Sequence, residues 1–149
     1  MSEKRHPFLL NMEEHMSRRE MRESIFQLLF MTEFNAVDEM AQQRALYLDG
    51  VENIQDKNRE YIQNKFEKIV EKIPKIDELL NQASKGWKTK RMSKVDLSIL
   101  RLACFEILFD EDVPTSVAIN EAVELAKKFG GDTSSSFING VLGKLAAGK

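Results

Sequence analysis

One segment limits the folds open to this chain more than any other. From Lys94 to Phe109 the residues KVDLSILRLACFEILF place apolar side chains at nearly every angle of a helix, with Leu97, Leu100, Ala103, Cys104 and Ile107 among them. A helix that is apolar all round cannot rest on a surface, so other elements must pack around it. Ser93 followed by Asp96 is the capping pattern that satisfies orphan N–H groups at a helix start. The surroundings read as helical too. β-branched residues are sparse and no segment sustains the apolar/polar alternation of a strand.

Ser17 and Glu20 form a capping box ahead of a first helix, in which Met21, Ile25, Leu28, Leu29 and Thr32 recur as one stripe. A second helix is predicted from Asp38 to Leu48, ending at Gly50. Asp56 opens a third, with Tyr61, Ile62, Phe66, Ile69 and Ile73 as its apolar positions. Pro74 is expected to stop it, because proline lacks the N–H that continues the ladder. A short helix from Ile76 to Ala83 leads into the basic stretch KGWKTKRMSK, and the central helix follows. Pro114 and Thr115 start another, which runs to Phe129 and ends at Gly130–Gly131 as a glycine C-cap. Asp132 to Ser136 cap a last helix through Ala146. The fold class is all-α, with about seven helices and no sheet. Residues 1–16 form an N-terminal extension expected to be mobile, 17–74 an N-terminal helical subdomain and 75–149 a C-terminal one, together one compact domain.

Composition then excludes whole classes of function. A single cysteine in 149 residues rules out a disulfide framework and a multi-cysteine zinc site. No apolar run approaches the ~18 residues that span a bilayer, and the Pro7–Leu10 patch is too short for a signal peptide. A cytoplasmic protein is expected, with no membrane contact. The two histidines, His6 and His15, lie in the extension, and Cys104 reads as a small hydrophobe. Arg101 and Glu106, charges inside an apolar helix, call for structural pairing. No phosphate loop or metal-spaced cluster occurs. GGDTSSS (130–136) suits a helix–helix turn better than a phosphate cradle. No catalytic residue, cofactor or metal is expected.

Binding features remain. Arg18, Arg19 and Arg22 crowd the start of the first helix, and at ~100° per residue Arg19, Phe26 and Phe30 share one face. Guanidinium for phosphate beside a ring for an unstacked base is the pairing that single-stranded RNA requires. The alternative is that the rings pack inward while the arginines are solvated. In the last helix Ile138, Val141, Leu142 and Leu145 form the core stripe, leaving Phe137, Gly140 and Lys144 on another face. The KGWKTKRMSK stretch sets five cations around Trp87; its alternative is a solvated loop with the indole turned inward. Net charge is −2, so any RNA binding has to be local.

RREMRESIFQLLF (18–30), KVDLSILRLACFEIL (94–108), VPTSVAINEAVELAKKFG (113–130) and FINGVLGKLA (137–146) resemble the NusB family of bacterial transcription antitermination factors. The resemblance runs from about Ser17 to the C-terminus. It implies two packed helical bundles and a non-enzymatic role in antitermination, especially of ribosomal RNA operons. It also implies pairing with NusE, a small-subunit ribosomal protein, and joint binding of single-stranded boxA RNA within an RNA polymerase antitermination complex that holds other Nus factors. A homodimer is one state such proteins adopt. The RNA-binding positions implied are Arg18, Arg19, Arg22, Phe30 and Phe137; Lys144 joins them from the helical face it shares with Phe137. Glu20 interrupts the basic run, and Phe30 stands where the family commonly has tyrosine. Two other readings stay open: a helical adaptor for an acidic protein, and a stand-alone relative of the NusB-like module fused to ribosomal-RNA cytosine methyltransferases. The length leaves no room for that catalytic domain.

Overall fold

The computed structural model describes residues 16–35, 37–51 and 54–149. The expected extension over 1–16, including both histidines, lies outside the described residues except for Met16. Among the described residues six α-helices follow one another: α1 (Arg18–Thr32), α2 (Val37–Asp49), α3 (Asp56–Ser84), α4 (Lys94–Phe109), α5 (Thr115–Phe129) and α6 (Ser134–Ala147), with a 3-10 turn at Thr89–Arg91. The all-α expectation holds, and no strand occurs among the described residues.

The described residues up to Phe66 form one compact unit. Its first helix begins with the expected capping box: Ser17 Oγ accepts from the Glu20 N–H at 3.0 Å, and Glu20 Oε1 accepts from the Ser17 N–H at 3.0 Å. α1 packs against α2. Ile25, Phe26, Leu28 and Leu29 of α1 are buried, as are Met40, Leu48, Ile62 and Phe66. An ion pair between Arg59 and Asp49 (2.7 Å) ties the start of α3 to the end of α2.

The second unit is Glu67–Lys149. Here α4 packs against both α5 and α6, and every residue from Leu97 to Ile107 is buried, as an all-round apolar helix requires. Ser93 caps α4 by accepting from the Asp96 N–H at 3.0 Å. Arg101 is paired as expected: its Nε and Nη2 donate to the two carboxylate oxygens of Asp77 at 3.0 and 2.8 Å. That fork joins α4 to α3 while satisfying a nearly buried guanidinium.

One expectation about helix ends is corrected. Pro74 does not stop a helix, and no separate helix starts at Ile76; α3 runs unbroken through both for 29 residues. Ile62, Phe66, Ile69, Ile76 and Leu80 are all buried at one helical spacing, so a single apolar stripe continues across the proline. Packing that stripe outweighs a proline cost of ~3 kcal/mol, and Pro74 sits on the exposed side where water can reach the freed carbonyl. Gly130 caps α5 as expected, in extended geometry (φ −92°, ψ −177°), its N–H donating to the Ala126 carbonyl. Glycine is required there by close approach: a Cβ would lie 2.6 Å from Ser134 Cβ and 2.7 Å from the Ala126 carbonyl oxygen.

Candidate nucleic-acid interface

In the first unit, the capping box fixes where α1 begins and therefore where its arginines point. Arg18 and Arg19 are exposed on the first turn. Arg22, one turn on, is 9% exposed and engaged within the protein. The arginine trio expected from the sequence is thus split into two surface cations and one buried one.

The aromatic side of α1 also differs from expectation. Phe26 is 2% exposed and belongs to the core, because α1 buries a broader arc than its aliphatic stripe alone, Arg22 and Ser24 included. Phe30 is half-buried, 6.4 Å from Phe26 between ring centroids. On its other side Phe34 meets it edge to face at 5.0 Å and is 63% exposed. The three rings form an i, i+4 ladder climbing from core to solvent. Sequence reasoning does not single out Phe34, although its spacing from Phe30 repeats that of Phe30 from Phe26.

In the second unit, Phe137 is half-buried in the first turn of α6, and Lys144, two turns along, is exposed. The glycine turn before α6 is satisfied from within: Ser134 Oγ accepts from the Gly131 N–H at 3.0 Å, and the Ser134 N–H donates to the Gly131 carbonyl at 3.1 Å. Trp87 is 48% exposed rather than turned inward. No cluster of three or more metal-binding side chains occurs among the described residues. Burial, with the charge of Asp77 adding to it, pushes the Cys104 thiol from 9.0 up to about 12, which keeps it protonated and unreactive at neutral pH.

Fold and surface define a class: a small protein, helical throughout its described residues, whose first helix exposes two arginines at its start and a ring pair at its end. The chain belongs to the NusB family, whose sequence model matches residues 19–147. The transcription antitermination protein NusB of Lachnoclostridium phytofermentans is 54% identical over 130 residues, which cover 87% of this chain and 98% of that one. The solved structure of T. maritima NusB is 33% identical with a TM-score of 0.79, covering 89% of this chain and 92% of that chain. The fold is shared as well by the structure of antitermination factors NusB and NusE in complex with double-stranded RNA, at 20% identity and a TM-score of 0.75, covering 89% of this chain and 97% of that chain. The family is one of transcription antitermination factors, not enzymes.

Proposed function

We infer that this protein is a transcription antitermination factor that binds boxA-like single-stranded RNA together with a NusE-type ribosomal protein and supports antitermination of ribosomal RNA operons. The observation that carries the reading is that a NusB-family chain exposes Arg18 and Arg19 at the start of α1 and carries the Phe30–Phe34 ring pair at its far end. Arginine holds phosphate while a ring face accepts an unstacked base. Phe137 and Lys144 offer the same combination on α6, and Arg22 contributes by fixing the base of the cationic turn. The pair then enters an RNA polymerase antitermination complex with other Nus factors, in the cytoplasm. No described helix is long and apolar enough to cross a membrane, in keeping with that setting.

With a net charge of −2 the protein lacks the long basic track of a tight solitary binder. It therefore binds such RNA weakly alone and more tightly with its partner. Titration of labelled boxA-like RNA with the protein, with a NusE-type protein and with their mixture tests this. Equal affinity with and without the partner overturns the reading.

A further inference from the structure

The most basic stretch of the chain has no part in the function just described. Between Leu79 and Val95 the sequence carries Lys85, Lys88, Lys90, Arg91 and Lys94 and no acidic residue. All five cations are exposed. Trp87, the only tryptophan of the chain, stands among them with about half its surface in water.

The loop that carries it is pinned on both sides. Ser84 Oγ donates to the Trp87 carbonyl at 2.6 Å, the Trp87 N–H donates to the Lys85 carbonyl at 2.6 Å, and the Thr89 N–H donates to Asn81 Oδ1 at 2.8 Å. The reversal is made by Lys85 at φ 35° and Gly86 at φ 60°. A non-glycine residue at positive φ is a sparsely populated conformation that persists only where its surroundings hold it. These bonds pin the loop backbone with the ring about half in water, which lowers the ordering cost of a contact made there.

Lys85, two residues before the ring, also lines a cleft of about 470 Å³ together with Leu79 and Ala83 of α3, Leu108 of α4, and Lys144 and Leu145 of α6. Apart from Gln82 its side chains are apolar or cationic, and none is a carboxylate. Apolar walls edged by lysine match a planar base joined to a phosphate. An acidic peptide would use the lysines but bring no flat partner for the indole. We propose that Trp87 and this lysine-edged cleft form a second contact for single-stranded RNA: the indole stacks on an unpaired base, while Lys85 and Lys144 hold flanking phosphates. The proposal rests on the RNA-binding function above and lengthens the RNA footprint on the Glu67–Lys149 unit.

The sole tryptophan makes the test direct. Full-length protein, paired with a NusE-type protein, is titrated with unlabelled boxA-like RNA extended by unpaired nucleotides, and Trp87 emission is followed; Trp87→Phe identifies the signal. Anisotropy of the same RNA, labelled, gives affinity independently. Emission should be quenched in step with binding. Trp87→Ala should weaken binding by roughly 5- to 150-fold with an unchanged melting midpoint, and Trp87→Phe should retain most of the affinity. Lys85→Ala should lower the log–log salt slope by about 0.7. If the pair binds RNA while Trp87 emission and the Trp87→Ala affinity stay unmoved, the inference is overturned and the antitermination function stands. If Trp87→Ala weakens only the protein–protein step, the loop is a protein contact and the inference is likewise overturned. If no RNA binds at all, the function fails and this inference with it.

Discussion

Arg101 and Cys104 lie one turn apart on α4, and both answer to Asp77. The carboxylate grips the guanidinium at 3.0 and 2.8 Å and its charge also helps keep the thiol neutral. Truncating Arg101 to alanine would strand a partly buried carboxylate beside an apolar helix. Thermal melts should show a loss of about 3–5 kcal/mol, the usual cost of breaking a buried pair from one side. An unchanged midpoint with diminished RNA affinity would move Arg101 into the binding surface instead. The thiol makes a prediction about pH. The folded chain holds its proton up to about 12, whereas an ordinary thiol loses it near 9.0. Between those values the unfolded chain binds fewer protons, so stability falls as pH rises through that window and is unaffected below it. Denaturant midpoints of the protein and of Cys104→Ala, followed from neutral to alkaline pH, should converge across the same window. A constant gap between the two would refute the shift.

At this scale the sequence is an uneven guide to the site. Arg18 and Arg19 are where the residue types imply. Arg22 and Phe26 are not, because angular position on a helix says nothing about how wide an arc its neighbours cover. Trp87 is equally illegible: whether a tryptophan in a basic loop turns in or out depends on the Ser84 and Asn81 hydrogen bonds, which involve no pattern.

Among the elements, α3 shows how packing overrides local preference. Its proline is exposed, its stripe is continuous, and its helix does not end there. Replacing Pro74 by alanine restores a backbone donor and removes the ring clash, so the melting midpoint should rise, by up to about 3 kcal/mol less the entropy that proline removes from the unfolded chain. A fall would mean that the ring itself is packed. Gly130 should behave oppositely. Alanine there collides with Ser134 and with the backbone of Ala126, so a loss of about 1–3 kcal/mol is expected in the same melts. Capping boxes and the all-apolar helix are readable because each is decided within a few residues. The proline and the glycine are not, because their roles depend on a stripe spanning five turns in one case and a close approach four residues ahead in the other.

For the molecule as a whole, charge and ring should separate experimentally. Arg18→Ala and Arg19→Ala should weaken all single-stranded RNAs alike and lower the salt slope by about 0.7 for each phosphate no longer neutralised. Phe30→Ala and Phe137→Ala should cost about 1–3 kcal/mol of RNA affinity each and leave that slope nearly intact. If these rings serve only the core, melts would instead show a destabilisation of about 3–5 kcal/mol, with normal affinity in the protein still folded. Melting and salt-dependent titration on the same variants tell the two apart.

The sealed thiol on α4 bears on how copies of this chain meet one another. The chain's one cysteine is enclosed and protonated, so a folded copy offers no thiol with which to form a disulfide to a second. Any self-association is then governed by concentration alone: dilution undoes it, and sedimentation profiles taken with and without reductant superimpose. A pool of such chains gathers no disulfide-linked copies, and every copy stays free to exchange one neighbour for another.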